Sequence, residues 1–262
     1  MLSRRERIIR TLIDLHSHIL PGLDDGAQSV EDSRELALRA AADGVTAIAA
    51  TPHVRDDYPT TADQMERGVA ELRRDFADEG IGVEVLHGGE IDLERMGRLG
   101  HDELRRFTFA QTGRYLLVEF PYVGWPLGVE QQLFELRLAR MTPVIAHPER
   151  NREVKEAPGR LAPLVESGAL VQVTAASLDG RLGRSSRDSA FRLLELGLAH
   201  LIASDAHTPD IREAGMAAAA AAVGDTGLAR YLTEEAPAAI VSGEGLPELP
   251  ARTGRRKRLG LF

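Results

Sequence analysis

Seven short runs of apolar and β-branched residues recur along the chain, and segments with helical periodicity separate them. The runs cover residues 12–17, 45–52, 82–90, 115–120, 142–148, 169–175 and 200–207. Strands that alternate with helices pair in parallel and connect through right-handed crossovers. We therefore predict an α/β fold in a single domain. Seven βα units over about 250 residues favour a closed or nearly closed barrel over an open sheet.

Three pairs of residues have the spacing of a capping box, in which a hydroxyl residue precedes an acidic residue by three positions. They are Ser29 with Asp32, Thr60 with Asp63, and Ser185 with Asp188. We predict a helix start at each pair. Gly44 and Gly80 each follow a helical segment and predict helix ends.

The composition excludes several kinds of chemistry. The chain of 262 residues contains no cysteine, so disulfides, thiolate metal sites and a cysteine nucleophile are ruled out. Its net charge of -8 argues against general binding to nucleic acid, because clustered Lys and Arg side chains are needed to hold phosphate backbones. We expect no nucleic-acid partner.

The two ends of the chain predict no membrane segment. Residues 1–14 are charged and lack the apolar core of a signal peptide, and no run of about 18 apolar residues occurs anywhere. We predict a cytoplasmic protein without stable membrane insertion. Residues 252–262 are basic and follow a stretch containing Pro and Gly, so we predict a domain over residues 1–245 and a poorly ordered tail over residues 246–262.

Side chains that can bind a metal follow the predicted strands. They are His16 and His18 after the first strand, Asp25 in the loop beyond them, and then His53, Glu90, Glu119, His147, Asp205 and His207 at the ends of later strands. The C-terminal ends of strands converge on one face of a βα barrel. We therefore expect these nine side chains to meet around one cavity.

Nine ligands exceed what one ion needs, so we predict two or three metal ions. His16 and His18 alternate along a strand in a way that points both imidazoles to the same side. Asp25 is either a ligand or a turn residue of the Asp-Gly loop. Nitrogen and oxygen donors without sulfur suit Mn²⁺, Fe²⁺ or Zn²⁺, and Glu90 could bridge two ions.

Two aromatic residues, Tyr122 and Trp125, lie in "FPYVGWP" directly after Glu119. We predict that they form an aromatic wall that binds substrate, with ordinary loop packing as the alternative. The three remaining histidines are predicted to lie outside the site: His87, His101 and His200.

Six stretches resemble the polymerase and histidinol phosphatase (PHP) superfamily: "DLHSHILPGLDDG", "TPH", "YLLVEF", "IAHPERN", "VTAASLDGRLGR" and "GLAHLIASDAH". They look most like its bacterial manganese-dependent protein-tyrosine phosphatases of capsular and exopolysaccharide systems, from about residue 12 to residue 243. The resemblance implies a distorted (β/α)7, TIM-like barrel with three metals and Mn²⁺ as the cofactor. It also implies phosphotyrosine on a protein as the substrate, with the autophosphorylated tail of a bacterial tyrosine kinase as the expected partner.

The resemblance assigns the nine ligands to three ions. His16, His18 and Asp205 would bind the first ion, and Glu90 would bridge it to the second. Glu119 and His147 would complete the second site, and the third ion would be bound by Asp25, His53 and His207. It also implies arginines on the substrate phosphate, and Arg150 and Arg212 match. Around Arg212 the sequence "SDAHTPDIREAG" departs from the family pattern.

These residues predict hydrolysis by an activated water that attacks phosphorus in line, with no covalent phosphoenzyme. Two alternatives stay open. One is a phosphoesterase of the same superfamily that acts on a small phosphate monoester, such as histidinol phosphate or a nucleotide. The other is a non-catalytic, metal-bound protein that docks on a kinase. The oligomeric state has no signature in the sequence.

Overall fold

The structure, a computed structural model, describes residues 11–208 and 215–250. Its strands are β1 Leu12–Ser17, β2 Val45–Ala50, β3 His53–Val54, β4 Glu84–His87, β5 Glu90–Asp92, β6 Tyr115–Glu119, β7 Thr142–Ala146, β8 Leu170–Thr174 and β9 Leu201–Ala203. Its α-helices are α1 Val30–Ala42, α2 Ala62–Glu79, α3 Leu93–Met96, α4 His101–Arg106, α5 Val129–Leu138, α6 Arg152–Glu156, α7 Ala162–Glu166, α8 Ala175–Leu178, α9 Gly183–Glu195, α10 Met216–Val223, α11 Thr226–Arg230 and α12 Ala236–Val241.

The strands pair in parallel and form two sheets, with the orders β1-β2-β4 and β3-β5-β6-β7-β8-β9. The predicted α/β class in a single domain is confirmed. The two sheets adjoin in the chain, since β2 is followed by β3 after two residues and β4 by β5 after two residues. The end of β1 also meets the chain that follows β9, because Ser17 and Ala206 form a parallel bridge and the amide of His18 donates to Ala206 O at 2.8 Å.

The predicted strand over residues 82–90 is wrong in one respect, since it is broken into β4 and β5 by Gly88 and Gly89. A Cβ atom at Gly89 would lie 2.5 Å from the ring of Phe107, and one at Gly88 would lie 2.9 Å from Thr51. The break is therefore a place where the backbone packs closely against its neighbours, which only glycine allows.

One of the three predicted capping boxes is confirmed, because Ser29 and Asp32 cap α1 reciprocally. The prediction at Thr60 is wrong by one residue, since Thr61 caps α2 together with Gln64. Thr60 is instead buried, and its amide donates to Tyr58 O. The prediction at Ser185 is also wrong, because α9 begins before it, at a tight turn.

Helices cover the sheets, and α2 shows how the sequence builds this layer. Met65, Val69, Leu72 and Phe76 recur at helical spacing, and all are buried in the core. The α2 helix ends at Gly80 with a left-handed φ of 68°, as predicted from the sequence.

The C-terminal segment is described up to residue 250, and Leu246 and Leu249 pack against the core. Most of the predicted basic tail, residues 251–262, lies outside the described residues, as do residues 1–10 and 209–214. In the described part of the chain, no helix has both the length and the apolar character needed to cross a membrane.

Candidate metal centre

The structure brings all nine predicted metal-binding side chains together at the C-terminal ends of the strands. Eight of them are buried, and Asp25 is the exception, with 40% of its side chain exposed. This location follows from parallel pairing, because every strand then presents its C-terminal end to the same side.

Glu90 lies at the middle of the cluster and contacts four histidines. Its Oε2 atom is 3.3 Å from Nε2 of His16, 3.4 Å from Nε2 of His18 and 2.9 Å from Nδ1 of His53. Its Oε1 atom is 2.8 Å from Nε2 of His147. A carboxylate that faces imidazoles with both oxygens is suited to bridge two cations.

The remaining carboxylates surround this centre. Asp205 Oδ1 lies 3.4 Å from Nε2 of His16 and 3.4 Å from Nε2 of His18. Asp25 Oδ1 lies 3.5 Å from Nε2 of His53 and 3.3 Å from Nε2 of His207. Glu119 Oε2 is 3.6 Å from Nδ1 of His53.

The ligand atoms fall into four groups in which all atoms lie within 4.8 Å of one another. The groups are His18, Asp25, His53 and His207; His16, His147 and Asp205; His16, His18 and Glu90; and His53, Glu90 and Glu119. Several groups that share members, rather than one separate group, are the arrangement expected for more than one ion.

Several buried ligand atoms fit a cation better than a hydrogen bond. Within residues 11–208 and 215–250, Nδ1 of His53, Oε2 of Glu90 and Nδ1 of His147 have no hydrogen bond of good geometry. Burying such atoms without a well-aligned hydrogen bond costs free energy. A divalent cation between the imidazole and carboxylate atoms would remove this cost, so these residues fit a metal site.

The electrostatics favour the metal-binding protonation states of Glu90 and His147, whereas the neighbouring carboxylates raise the pKa of His16 and His18. Burial alone would raise the pKa of Glu90, but His16 and His53 hold that pKa well below its ordinary value. Burial lowers the pKa of His147 to about 4, which leaves its imidazole neutral near pH 7. Burial and the charge of Glu90 raise the pKa of Glu119 to about 7. An ionised carboxylate and a neutral imidazole are the ligand forms.

Asp24 supports the cluster, and the sequence analysis missed it. Its Oδ2 atom is 2.7 Å from Nδ1 of His18 and accepts from the amide of His53 at 2.8 Å. Its Oδ1 atom accepts from the amide of Gly26 at 2.9 Å. This carboxylate therefore turns Nε2 of His18 toward the cluster, while the adjacent Asp25 faces the cluster itself. The doubled aspartate in "LDDG" was the available signal.

Gln172 is a second supporting residue that the sequence analysis missed. It lies in β8, fully buried, and its Oε1 atom is 3.0 Å from Nδ1 of His16 and accepts from the amide of His147 at 3.3 Å. A glutamine inside the apolar run "ALVQVTA" was a visible signal, because buried polar side chains need a partner. Asp14 also contacts a ligand residue, since its Oδ1 atom accepts from the amide of His16 at 3.3 Å and from that of Ser204 at 2.8 Å.

Arg150 and Tyr122 lie beside the cluster. Arg150 Nη1 donates to Asp205 Oδ2 at 2.5 Å. Its guanidinium carbon lies 4.7 Å from the centre of the Tyr122 ring, and that ring stacks on His147 at 5.8 Å.

The other two predicted substrate residues differ from this pattern. The ring contacts of Trp125 within the described chain are with Phe120, at 5.4 Å, and with the guanidinium of Arg160, at 4.4 Å. The structure therefore packs Trp125 against the core side of its loop and does not bring it to the histidines. Arg212 lies outside the described residues.

The three remaining histidines lie outside the cluster. His87 is half-buried in β4 and His101 is exposed at the start of α4. His200 precedes β9, and its Nδ1 atom accepts from the amide of Val171 at 3.1 Å. This contact gives His200 a structural role.

Comparison with known proteins indicates the family to which this chain belongs. Residues 12–238 match the family described as capsular polysaccharide synthesis, CpsB/CapC. The tyrosine-protein phosphatase YwqE of Bacillus subtilis is 39% identical over 203 residues, which cover 77% of this chain and 79% of YwqE. The putative tyrosine-protein phosphatase CapC of Staphylococcus aureus is 34% identical over 200 residues, which cover 75% of this chain and 77% of CapC.

A solved structure agrees with the sequence match. It comes from crystal structures of YwqE from Bacillus subtilis and CpsB from Streptococcus pneumoniae, described as metal-dependent tyrosine phosphatases. The TM-score is 0.82 at 35% identity, and the match covers 92% of this chain and all of that one. The chain therefore belongs to the CpsB/CapC family.

Proposed function

We propose that this protein is a metal-dependent phosphatase that hydrolyses phosphotyrosine on proteins. The observation that carries the proposal is the convergence of nine imidazole and carboxylate side chains, with Arg150 beside them, in a chain without cysteine. The relatives named as tyrosine-protein phosphatases support the substrate class. We further propose that the substrate is the phosphorylated tail of a bacterial tyrosine kinase that regulates capsule or exopolysaccharide synthesis.

The proposed ligands are the nine residues of the cluster, with Glu90 as the bridge. We propose Mn²⁺ as the native metal, two or three ions per chain, with Fe²⁺ or Zn²⁺ as the other ions that nitrogen and oxygen donors accept. When bound, such ions supply an activated water and offset the charge of the phosphoryl oxygens. The complete ligand set argues against a purely non-catalytic role.

Arg150 is proposed to hold the phosphoryl group. Its planar guanidinium can donate two parallel hydrogen bonds to phosphate oxygens. The contact with Asp205 and the ring of Tyr122 hold the guanidinium at the edge of the cluster, where only 17% of its side chain is exposed. We propose Tyr122 as an aromatic surface for the substrate, and Arg212 as a second phosphate-binding residue.

The leaving group fits this set of residues. A phenol has a pKa of about 10 and departs more readily than an alkyl alcohol. A strong general acid is therefore less important for phosphotyrosine than for phosphoserine. Cysteinyl-phosphate chemistry is excluded, because the sequence has no cysteine.

For the architecture, we propose that the two sheets together form the distorted (β/α)7 barrel, closed where β1 meets the chain after β9. The bridge between Ser17 and Ala206 supports this closure. We propose residues 1–245 as the catalytic domain and residues 246–262 as a basic tail. We also propose a cytoplasmic location.

Metal removal and replacement test the proposed function. The purified protein is treated with a chelator, and phosphate release from a phosphotyrosyl peptide is measured before and after addition of Mn²⁺, Fe²⁺ or Zn²⁺. We expect chelation to abolish turnover and Mn²⁺ to restore it. His16→Ala should lose bound metal and turnover together, whereas Asp188→Asn, an exposed change on α9, should not. Full turnover by metal-free protein would refute the proposal.

A further inference from the structure

A turn that no sequence motif singled out brings a second tyrosine to the cluster. The ring of Tyr58 stacks on the imidazole of His53, with 5.8 Å between ring centres and 15° between planes. The guanidinium carbon of Arg55 lies 5.1 Å from the centre of the same ring. Arg55 Nη1 also donates to Glu119, at 3.3 Å from Oε1.

This arrangement repeats the one at Tyr122, where the ring stacks on His147 with 10° between planes and lies under the guanidinium of Arg150. His53 and His147 contact different oxygens of Glu90, Oε2 and Oε1 respectively. The two stacks, each built from a histidine, a tyrosine and an arginine, therefore flank the centre of the cluster on two sides.

The turn that carries Tyr58 is a well-defined structure. The amides of Arg55 and Tyr58 each donate to the other residue's carbonyl oxygen at 3.1 Å. The amide of Thr60 donates to Tyr58 O at 2.8 Å. Arg98 holds the tip of the turn by hydrogen bonds to both oxygens of Asp56, at 2.9 and 3.0 Å. These bonds fix the position of Tyr58 relative to His53.

Tyr58 is half-buried and does not belong to either core cluster. Part of its ring is thus available beside a site that we propose for phosphate esters. Aromatic pairs contribute stabilisation beyond their buried area and favour defined geometries. A half-exposed ring at this place therefore favours a substrate whose leaving group is itself aromatic.

We propose that Tyr58 is a specificity residue that packs against the aromatic ring of the phosphorylated residue and thereby selects aryl over alkyl phosphates. Arg55 is a positioning residue, since it holds the Tyr58 ring from one side and reaches Glu119 on the other. This inference rests on the proposed phosphatase function and adds a residue to it.

The test compares Tyr58→Ala with Tyr58→Phe on two small substrates, phenyl phosphate and ethyl phosphate, in added Mn²⁺. We expect the ratio of kcat/KM for phenyl phosphate to that for ethyl phosphate to fall about tenfold in Tyr58→Ala, chiefly through KM. Tyr58→Phe should keep the ratio of the wild-type protein, because the ring is retained. Phe134→Ala, an exposed aromatic on α5, is the matched control and should also keep it.

Bound Mn²⁺ per chain is measured on the same samples. If Tyr58 only supports His53, Tyr58→Ala should lower the metal content and reduce kcat/KM for both substrates by the same factor. That result would overturn the inference. An unchanged ratio in Tyr58→Ala would overturn it as well. If the wild-type protein hydrolyses neither substrate, this inference is overturned, and the assay with a phosphotyrosyl peptide decides the proposed function separately. Turnover of both substrates with an unaffected ratio refutes only the role of Tyr58.

Discussion

Replacing Asp24 by asparagine tests whether the supporting residues of the cluster control metal binding. Asp24 accepts three hydrogen bonds with two oxygens, from His18 and the amide of His53 on Oδ2 and from the amide of Gly26 on Oδ1. Because an ionised carboxylate has no proton to donate, Nδ1 of His18 must carry the hydrogen in that contact. Its Nε2 atom is then left to face the cluster.

Asparagine has one acceptor oxygen and cannot make all three bonds. In its better orientation the side-chain oxygen takes the Oδ2 position, and its NH₂ group meets the amide N–H of Gly26. A buried donor left without an acceptor costs about 1–3 kcal/mol. In the alternative orientation the side-chain oxygen accepts from the amide of Gly26, and the contacts with the amide of His53 and with Nδ1 of His18 are lost. The second of these is the contact that orients His18.

We expect Asp24→Asn to weaken Mn²⁺ binding roughly 10- to 100-fold, since 1.4 kcal/mol is about a factor of ten and supporting residues of metal sites typically have effects of this size. In the assay, metal-free protein is titrated with Mn²⁺, and binding is measured by calorimetry and by the recovery of turnover. Asp188→Asn removes the same charge from an exposed position and is the control. An affinity within twofold of the wild-type protein would refute the reasoning.

Three further changes have defined outcomes. Arg150→Lys should lower kcat/KM for a phosphotyrosyl peptide about 10- to 100-fold, because a lysine cannot form the bidentate contact, and steady-state kinetics measure this. Burial lowers the pKa of His200 from 6.5 to about 4, so the unfolded state binds the proton more tightly and stability is lost as the pH falls below 6.5. His200 should contribute about 2 kcal/mol to the loss of stability between pH 7 and pH 5, measured as the difference in that loss between the wild-type protein and His200→Gln in urea unfolding. Gly26→Ala should reduce metal content and thermal stability, since its Cβ would overlap the backbone and Cβ of His18.

The sequence predicted most of the site because one physical rule covers it. Residues at the C-terminal ends of parallel strands meet, so His16, Glu90 and Asp205 could be grouped although they are far apart in the chain. The residue types then indicated the chemistry. No contact between individual atoms was needed for that inference.

The sequence could not predict the contacts that depend on local geometry. Asp24 and Asp25 both suit a tight Asp-Gly turn, and only the backbone path decides which of them faces the cluster. Tyr58 reaches His53 through a four-residue turn that leaves no periodic signal. The helix start at Thr61 rather than Thr60 has the same origin, because the carbonyl of Tyr58 captures the amide of Thr60.

The most direct test of the proposed function is Mn²⁺-dependent phosphate release from two peptides of identical sequence, one phosphorylated on tyrosine and the other on serine. Each is assayed with a chelator control and beside the His147→Ala protein. The proposed function predicts chelator-sensitive turnover of the phosphotyrosyl peptide, much slower turnover of the phosphoseryl peptide, and almost none by His147→Ala. Turnover of neither peptide, in protein that binds Mn²⁺, would contradict it and indicate a small phosphate monoester as the substrate.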